Sequence, residues 1–114
     1  MNEKSPIRDV YDAVADPTRR KLLQLLAGVE ELPLYEITPH FEMGRTAVSK
    51  HLTILRDAGL VTDRKVGRET RFRLQAAPLR EIQDWVAFYG KFWNDNVARL
   101  QQLLMEKAEE DRNK

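Results

Sequence analysis

The chain has 114 residues, enough for one domain with a modest core, and no cysteine, which excludes disulfides, thiolate metal sites and thiol redox sensing. Its apolar stretches fall far short of the ~18 residues a membrane span needs, and MNEKSPIRDV lacks the apolar segment of a signal peptide, so a cytoplasmic protein is expected. The formal net charge of +1 conceals an asymmetry: residues 45–73 hold eight basic side chains (Arg45, Lys50, Arg56, Arg64, Lys65, Arg68, Arg71, Arg73) against three acidic ones (Asp57, Asp63, Glu69), leaving the remainder net acidic. An acidic body with one basic strip fits a polyanion-binding face. The plainer alternative is an ordinary solvated charged surface.

In chain order, Ile7, Val10, Tyr11 and Val14 recur at helical spacing and predict a short first helix from about Ser5 to Ala15. ADPTRRKLLQLLAG then carries signals at both ends. Asp16 can cap the free N–H groups, Pro17 suits the first turn, and Gly28 can supply a left-handed exit. Leu22, Leu23, Leu25 and Leu26 form the inward stripe. Leu34 to Phe41 is expected to be the first helix of a helix-turn-helix, with Leu34, Ile37 and Phe41 inward. Pro39 inside it removes a backbone donor and clashes with the preceding turn, so that helix should be short or distorted.

Glu42-Met43-Gly44 reads as the turn. From Arg45 to Ala58, Val48, Leu52 and Leu55 share one helical face, with Thr46, Ser49, Lys50, Thr53 and Asp57 opposite, and Gly59 ends the helix. Leu60 and Val61 lead into a hairpin whose second strand, Thr70 to Leu74, should turn Phe72 and Leu74 inward and Arg71 and Arg73 outward around a tip at Val66-Gly67-Arg68. After Pro78, Leu79, Ile82, Trp85, Val86, Tyr89, Phe92, Trp93, Val97, Leu100, Leu103 and Leu104 step by threes and fours. They predict one amphipathic helix to about Glu110, roughly 45–50 Å long at 1.5 Å per residue, before a solvated tail. So long a stripe exceeds what a domain of this size can cover, and tryptophan is favoured at the centres of interfaces. A second copy is the economical partner; a helix packed along its own domain is the alternative.

The fold class expected is therefore mainly α with a small antiparallel β-hairpin: a winged helix-turn-helix with a long C-terminal dimerisation helix. It is organised as a single domain over 1–114, with N-terminal helices over 5–30, the helix-turn-helix over 33–59, the β-wing over 60–75 and the terminal helix over 78–110. Small and polar side chains let a recognition helix approach base edges, so the DNA-contacting candidates are Arg45, Thr46, Ser49, Lys50 and His51. Arg64, Lys65, Arg68 and Arg71 on the wing are expected on phosphates or in the neighbouring minor groove. The start of the recognition helix, with its partial positive charge, would welcome a phosphate near Met43 to Thr46. The dimer-interface candidates are Val10, Tyr11, Trp85, Tyr89, Phe92, Trp93, Val97, Leu100 and Leu104. The two histidines, His40 and His51, lie on different helices without converging ligands, so no metal site and no cofactor are expected. No phosphate-binding glycine loop, nucleophile–base pair or paired carboxylates point to an enzyme.

ADPTRRKLLQLL, AVSKHLTILRDAGLV and GRETRFRL together resemble the ArsR/SmtB family of bacterial and archaeal winged-helix repressors. The likeness covers about Ile7 to Leu104, and IQDWVAFYGKFWNDNVARLQQLL is similar to a metal-independent branch with a Trp-rich terminal helix. The resemblance implies a homodimer formed through first and last helices, bound to imperfect palindromes in promoter DNA and often repressing its own operon. It also implies that Thr46, Ser49, Lys50 and His51 lie on the recognition helix, with Lys65 and Arg68 at the wing. Metal-sensing relatives carry cysteines where ELPLYEI here offers Pro33 and Tyr35, and others place His ligands on the last helix, which here has none. Metal sensing is therefore not expected; release by a small ligand, a partner protein or dilution stays open. The rival reading is a winged helix that serves as a protein-interaction module without binding DNA specifically.

Overall fold

A computed structural model describes residues 9–113, except for the side chains of residues 95–97. The elements run α1 (Val10–Val14), α2 (Pro17–Ala27), β1 (Leu32–Pro33), α3 (Leu34–Ile37) with a 3₁₀ turn at Thr38–His40, α4 (Arg45–Asp57), β2 (Val61–Val66), β3 (Glu69–Leu74), α5 (Leu79–Phe88) and α6 (Gly90–Arg112). They group into two compact units, Met1–Ile82 and Gln83–Lys114. This is the mainly helical architecture with a small antiparallel wing that the sequence predicts.

The first unit closes around Leu22, Leu26, Ile37, Val48, Leu52, Leu55, Leu60 and Val61, each fully buried. The predicted stripes on α2 and α4 supply most of this core, with Leu25 only half-buried. Val10, expected at a dimer interface, is 4% exposed and belongs to this same core, so it presents no outward face. Tyr11 is half-buried and its hydroxyl donates to the Glu81 carbonyl at 3.2 Å. Asp9 and Asp16 each accept a hydrogen bond from the backbone N–H three residues on, at 2.7 and 3.0 Å, satisfying first-turn donors of α1 and α2. The start of α1 that the sequence placed at Ser5 lies outside the described residues. Gly28 does not take the predicted left-handed exit: its φ is −88°, and α2 ends on a tight bond from its N–H to the Leu25 carbonyl at 3.3 Å.

Pro39 acts as anticipated. Regular α-helix stops after one turn at Ile37, and the chain continues as a 3₁₀ turn with Pro39 among its opening residues, where a missing donor costs little. At the end of α4, Gly59 adopts φ +80°, a left-handed conformation that costs an L-residue ~1–2 kcal/mol. Gly67 at the wing tip, φ +63°, meets the same requirement.

The hairpin is not alone. Leu32 and Pro33 form a strand too short for its sequence pattern to show, and they pair antiparallel with β3, Leu32 opposite Phe72 and Pro33 opposite Arg71. The sheet order is β1-β3-β2. The second unit also departs from expectation. The single rod expected from Pro78 is interrupted at Tyr89, whose φ −96° and ψ 2° lie outside helical values. There the N–H of Tyr89 reaches the Val86 carbonyl and that of Phe92 the Tyr89 carbonyl. Gly90, a poor helix former, follows the break. Helix α6 continues through Arg112, so residues 107–112 of the expected solvated tail are helical as well as exposed.

Candidate nucleic-acid interface

Because α4 buries Val48, Leu52 and Leu55, helical geometry commits Arg45, Thr46, Ser49, Lys50 and Thr53 to the side away from the core. Arg45, Thr46, Lys50 and Thr53 are exposed and Ser49 is half-buried. Gly44 stands at the N-cap and provides no side-chain bond, so the first-turn N–H groups of α4 remain available to an outside acceptor. The Thr53 hydroxyl donates back to the Ser49 carbonyl at 3.0 Å.

The wing flanks this surface. Phe72 is buried and stands opposite Asp63, which fixes that face of the hairpin inward; two residues along, Lys65 opposite Thr70 returns to the same side. Two adjoining clefts mark where helix and wing meet. One, of about 290 Å³, is lined by Tyr35, Arg45, Lys65, Arg68, Glu69 and Thr70 together with Leu34. The other, of about 240 Å³, shares Leu34, Lys65 and Thr70 and adds Ser49, Thr53, Arg56, Asp63 and Phe72. Thr53, Thr70 and Tyr35 are thus brought to a site for which the sequence nominated none of them. Tyr35 is anchored by its hydroxyl bond to Glu69 at 3.3 Å, and that carboxylate holds the phenol's pKa above its ordinary value.

Not every nominated cation faces this way. Arg64 and Arg71, directly opposite each other in register, project from the other side of the hairpin. Both are engaged by Glu31, which accepts from Arg64 Nε at 3.0 Å, Arg64 Nη2 at 2.6 Å and Arg71 Nη1 at 3.4 Å. Arg71 Nε also donates to Glu69 at 2.8 Å, and Arg73 reaches Glu30 at 3.3 Å. Arg56 is paired with Asp63 at 2.9 Å. Glu30 and Glu31 therefore offset much of the positive strip counted along the sequence. Arg45, Lys50, Lys65 and Arg68 form no ion pair among the described residues.

His51 also faces away from the expected site. Its Nδ1 lies 3.4 Å from Arg19 Nη1 and 4.0 Å from the Asp16 carboxylate, against the start of α2. Arg19 itself caps the end of α1, donating to the Ala13 and Asp12 carbonyls at 2.8 and 3.1 Å. Among the described residues, no group of three His, Cys, Asp or Glu side chains is arranged to hold a metal ion, and no helix is long and apolar enough to cross a membrane.

In the second unit, Trp85, Val86, Tyr89, Phe92 and Trp93 line an apolar cavity of about 470 Å³ at the helix break. Tyr89 meets Trp85 and Phe88 edge to face, with ring centroids 5.6 and 5.0 Å apart. Trp85, Phe92 and Trp93 remain 54%, 59% and 47% exposed, and Leu100, Leu103 and Leu104 are exposed beyond them. The Val97 side chain, nominated with them, lies outside the described residues.

Residues 16–63 match the family described as "Bacterial regulatory protein, arsR family". The chain is 33% identical over 90 residues to the transcriptional repressor SdpR of Bacillus subtilis, a match covering 78% of this chain and 99% of that protein. It is 32% identical over 101 residues to the HTH-type transcriptional regulator Rv2034 of Mycobacterium tuberculosis, covering 89% and 90%. Among solved structures, an ArsR-like transcriptional regulator from Rhodococcus sp. RHA1 superposes with a TM-score of 0.65 at 30% identity, covering 85% of this chain and 88% of that one.

Proposed function

This chain belongs to the arsR family of DNA-binding transcriptional regulators, and we propose that it acts as a homodimeric repressor of a palindromic promoter site without sensing metal. The observation that carries the DNA face is the four cations Arg45, Lys50, Lys65 and Arg68, which form no ion pair among the described residues; Arg45, Lys65 and Arg68 line the clefts between α4 and the wing, and Lys50 is exposed on the outer side of α4. Within that face, Thr46, Ser49 and Lys50 read base edges, because they are the small or polar side chains on the outer side of the helix. Arg45 and the free N–H groups after Gly44 receive a phosphate. Lys65 and Arg68 bind backbone phosphates, giving affinity rather than sequence preference.

Dimerisation is supported by the aromatic and leucine face from Trp85 to Leu104, too apolar to remain in water. A two-fold axis would set two recognition helices about one turn apart, ~34 Å along the duplex. Bound there, the dimer blocks polymerase; the repressor sense follows the name carried by SdpR.

The test is a salt-titrated binding measurement with duplex from the chain's own promoter and a scrambled control. Tighter, salt-dependent binding to the promoter, with two chains per site, is expected. Weak binding insensitive to salt would favour a protein-interaction module instead.

A further inference from the structure

Arg64 and Arg71 face each other across the wing hairpin, and like charges directly opposite on one face destabilise a strand pair. Glu31 resolves this. Its carboxylate accepts from both guanidiniums, two-pronged from Arg64 and single from Arg71, and only 17% of its side chain is exposed. The pairing is long-range: Glu31 precedes Arg64 by 33 positions and Arg71 by 40. It arises because β1 adds to the edge of the wing through the Leu32–Phe72 and Pro33–Arg71 pairs.

We infer that Glu31 is a positioning residue for DNA recognition: it withholds Arg64 and Arg71 from phosphate, so the wing engages the duplex through Lys65 and Arg68 alone. This rests on the DNA-binding reading given above. Physically, cations added to a wing raise affinity for every sequence equally, because phosphate contacts carry no base information. A regulator that must distinguish one site from the bulk of the genome gains from fewer such contacts. Glu31 keeps the two arginines for the fold while offsetting one of their two charges, and Glu69, 2.8 Å from Arg71 Nε, offsets the other. Its own carboxyl is correspondingly held below the usual carboxylate range, chiefly by the Arg64 hydrogen bond.

The test compares salt slopes for a random-sequence duplex by fluorescence anisotropy. Glu31→Gln frees Arg64, whereas Arg71 keeps its 2.8 Å bond to Glu69; the slope should steepen by about 0.9, the value per neutralised phosphate, while the ratio of promoter to random-sequence affinity falls. Adding Arg64→Gln and Arg71→Gln to that variant should return the slope to its original value. An unchanged or shallower slope in a folded Glu31→Gln protein overturns the inference. So that nothing hinges on that variant folding, Arg64→Gln/Arg71→Gln is also made in the otherwise unaltered chain. Its slope should match the parent within error, and a loss of about 0.9 or more overturns the inference. Finally, NMR of the unaltered protein with duplex should move the Arg45 and Lys50 amides and leave the Arg64 and Arg71 Nε–H signals in place. Moving Nε–H signals refute the role of Glu31 alone; no response anywhere on α4 rejects the DNA-binding reading itself, and the inference with it.

Discussion

The Nδ1 of His51, midway along α4, lies 4.0 Å from the Asp16 carboxylate that caps the start of α2. One carboxylate thus meets both the first turn of α2 and the inner flank of α4. Burial alone would push the Asp16 carboxyl up, but the Arg19 backbone N–H, the Arg19 guanidinium and His51 outweigh it and hold the pKa below its ordinary 3.8. A carboxylate depressed on folding contributes stability that is fully present above its unfolded pKa and is lost as pH falls through the lower folded value. Asp16→Asn should therefore flatten the dependence of stability on pH below about 4, and Asp16→Ala should cost about 1 kcal/mol near neutrality through the lost cap. Urea melts across a pH series check both; identical pH profiles for parent and Asp16→Asn would reject the assignment.

Lys50→Ala and Arg68→Ala should each weaken DNA binding while leaving the melting temperature close to that of the parent, since both side chains are exposed and neither is ion-paired among the described residues. The two should differ in kind. Arg68→Ala should lower affinity alike for promoter and scrambled duplex and reduce the salt slope by about 0.9. Lys50→Ala should cost about 1–3 kcal/mol on the promoter in particular, the loss expected of a base-reading side chain. Full affinity in both variants would remove the proposed face.

Leu52 is 1% exposed, on the side of α4 opposite the exposed Thr46 and Lys50. Leu52→Ala should destabilise the first unit by about 2–5 kcal/mol through lost transfer energy and a residual cavity. Denaturant unfolding measures this directly, and a loss below 1 kcal/mol would contradict the packing described.

Trp93→Ala should shift the chain toward monomer. A central interface tryptophan is worth about 2 kcal/mol or more, roughly a thirtyfold weakening of association. Sedimentation equilibrium gives the answer: an unaltered dimer constant would count against the terminal aromatic face as the interface. The melt of the first unit should survive, because its core draws on residues 10 to 82.

Addition of zinc or another divalent ion should leave operator affinity unchanged in the anisotropy assay. A tenfold metal-dependent change would require a ligand set that the described residues do not form.

The sequence by itself determined the class and most of the elements, because local rules govern them, but not the two-residue β1 or the break at Tyr89. Hydrophobic periodicity set which faces of α2 and α4 are buried, Pro39 shortened α3, Asp16 began α2, and Gly59 ended α4. The polar face of α4 followed from the same periodicity and was sound as a placement of Arg45, Thr46, Ser49 and Lys50. Charge was where a linear reading went astray. Counting cations along residues 45–73 could not reveal that Glu30 and Glu31 fold back over Arg64, Arg71 and Arg73, or that His51 turns toward Asp16. Those outcomes belong to the tertiary structure alone: a two-residue strand pairing with β3, and two helices meeting side by side, bring together groups more than 30 positions apart. Electrostatic effect depends on distance in space, and the sequence records only distance along the chain.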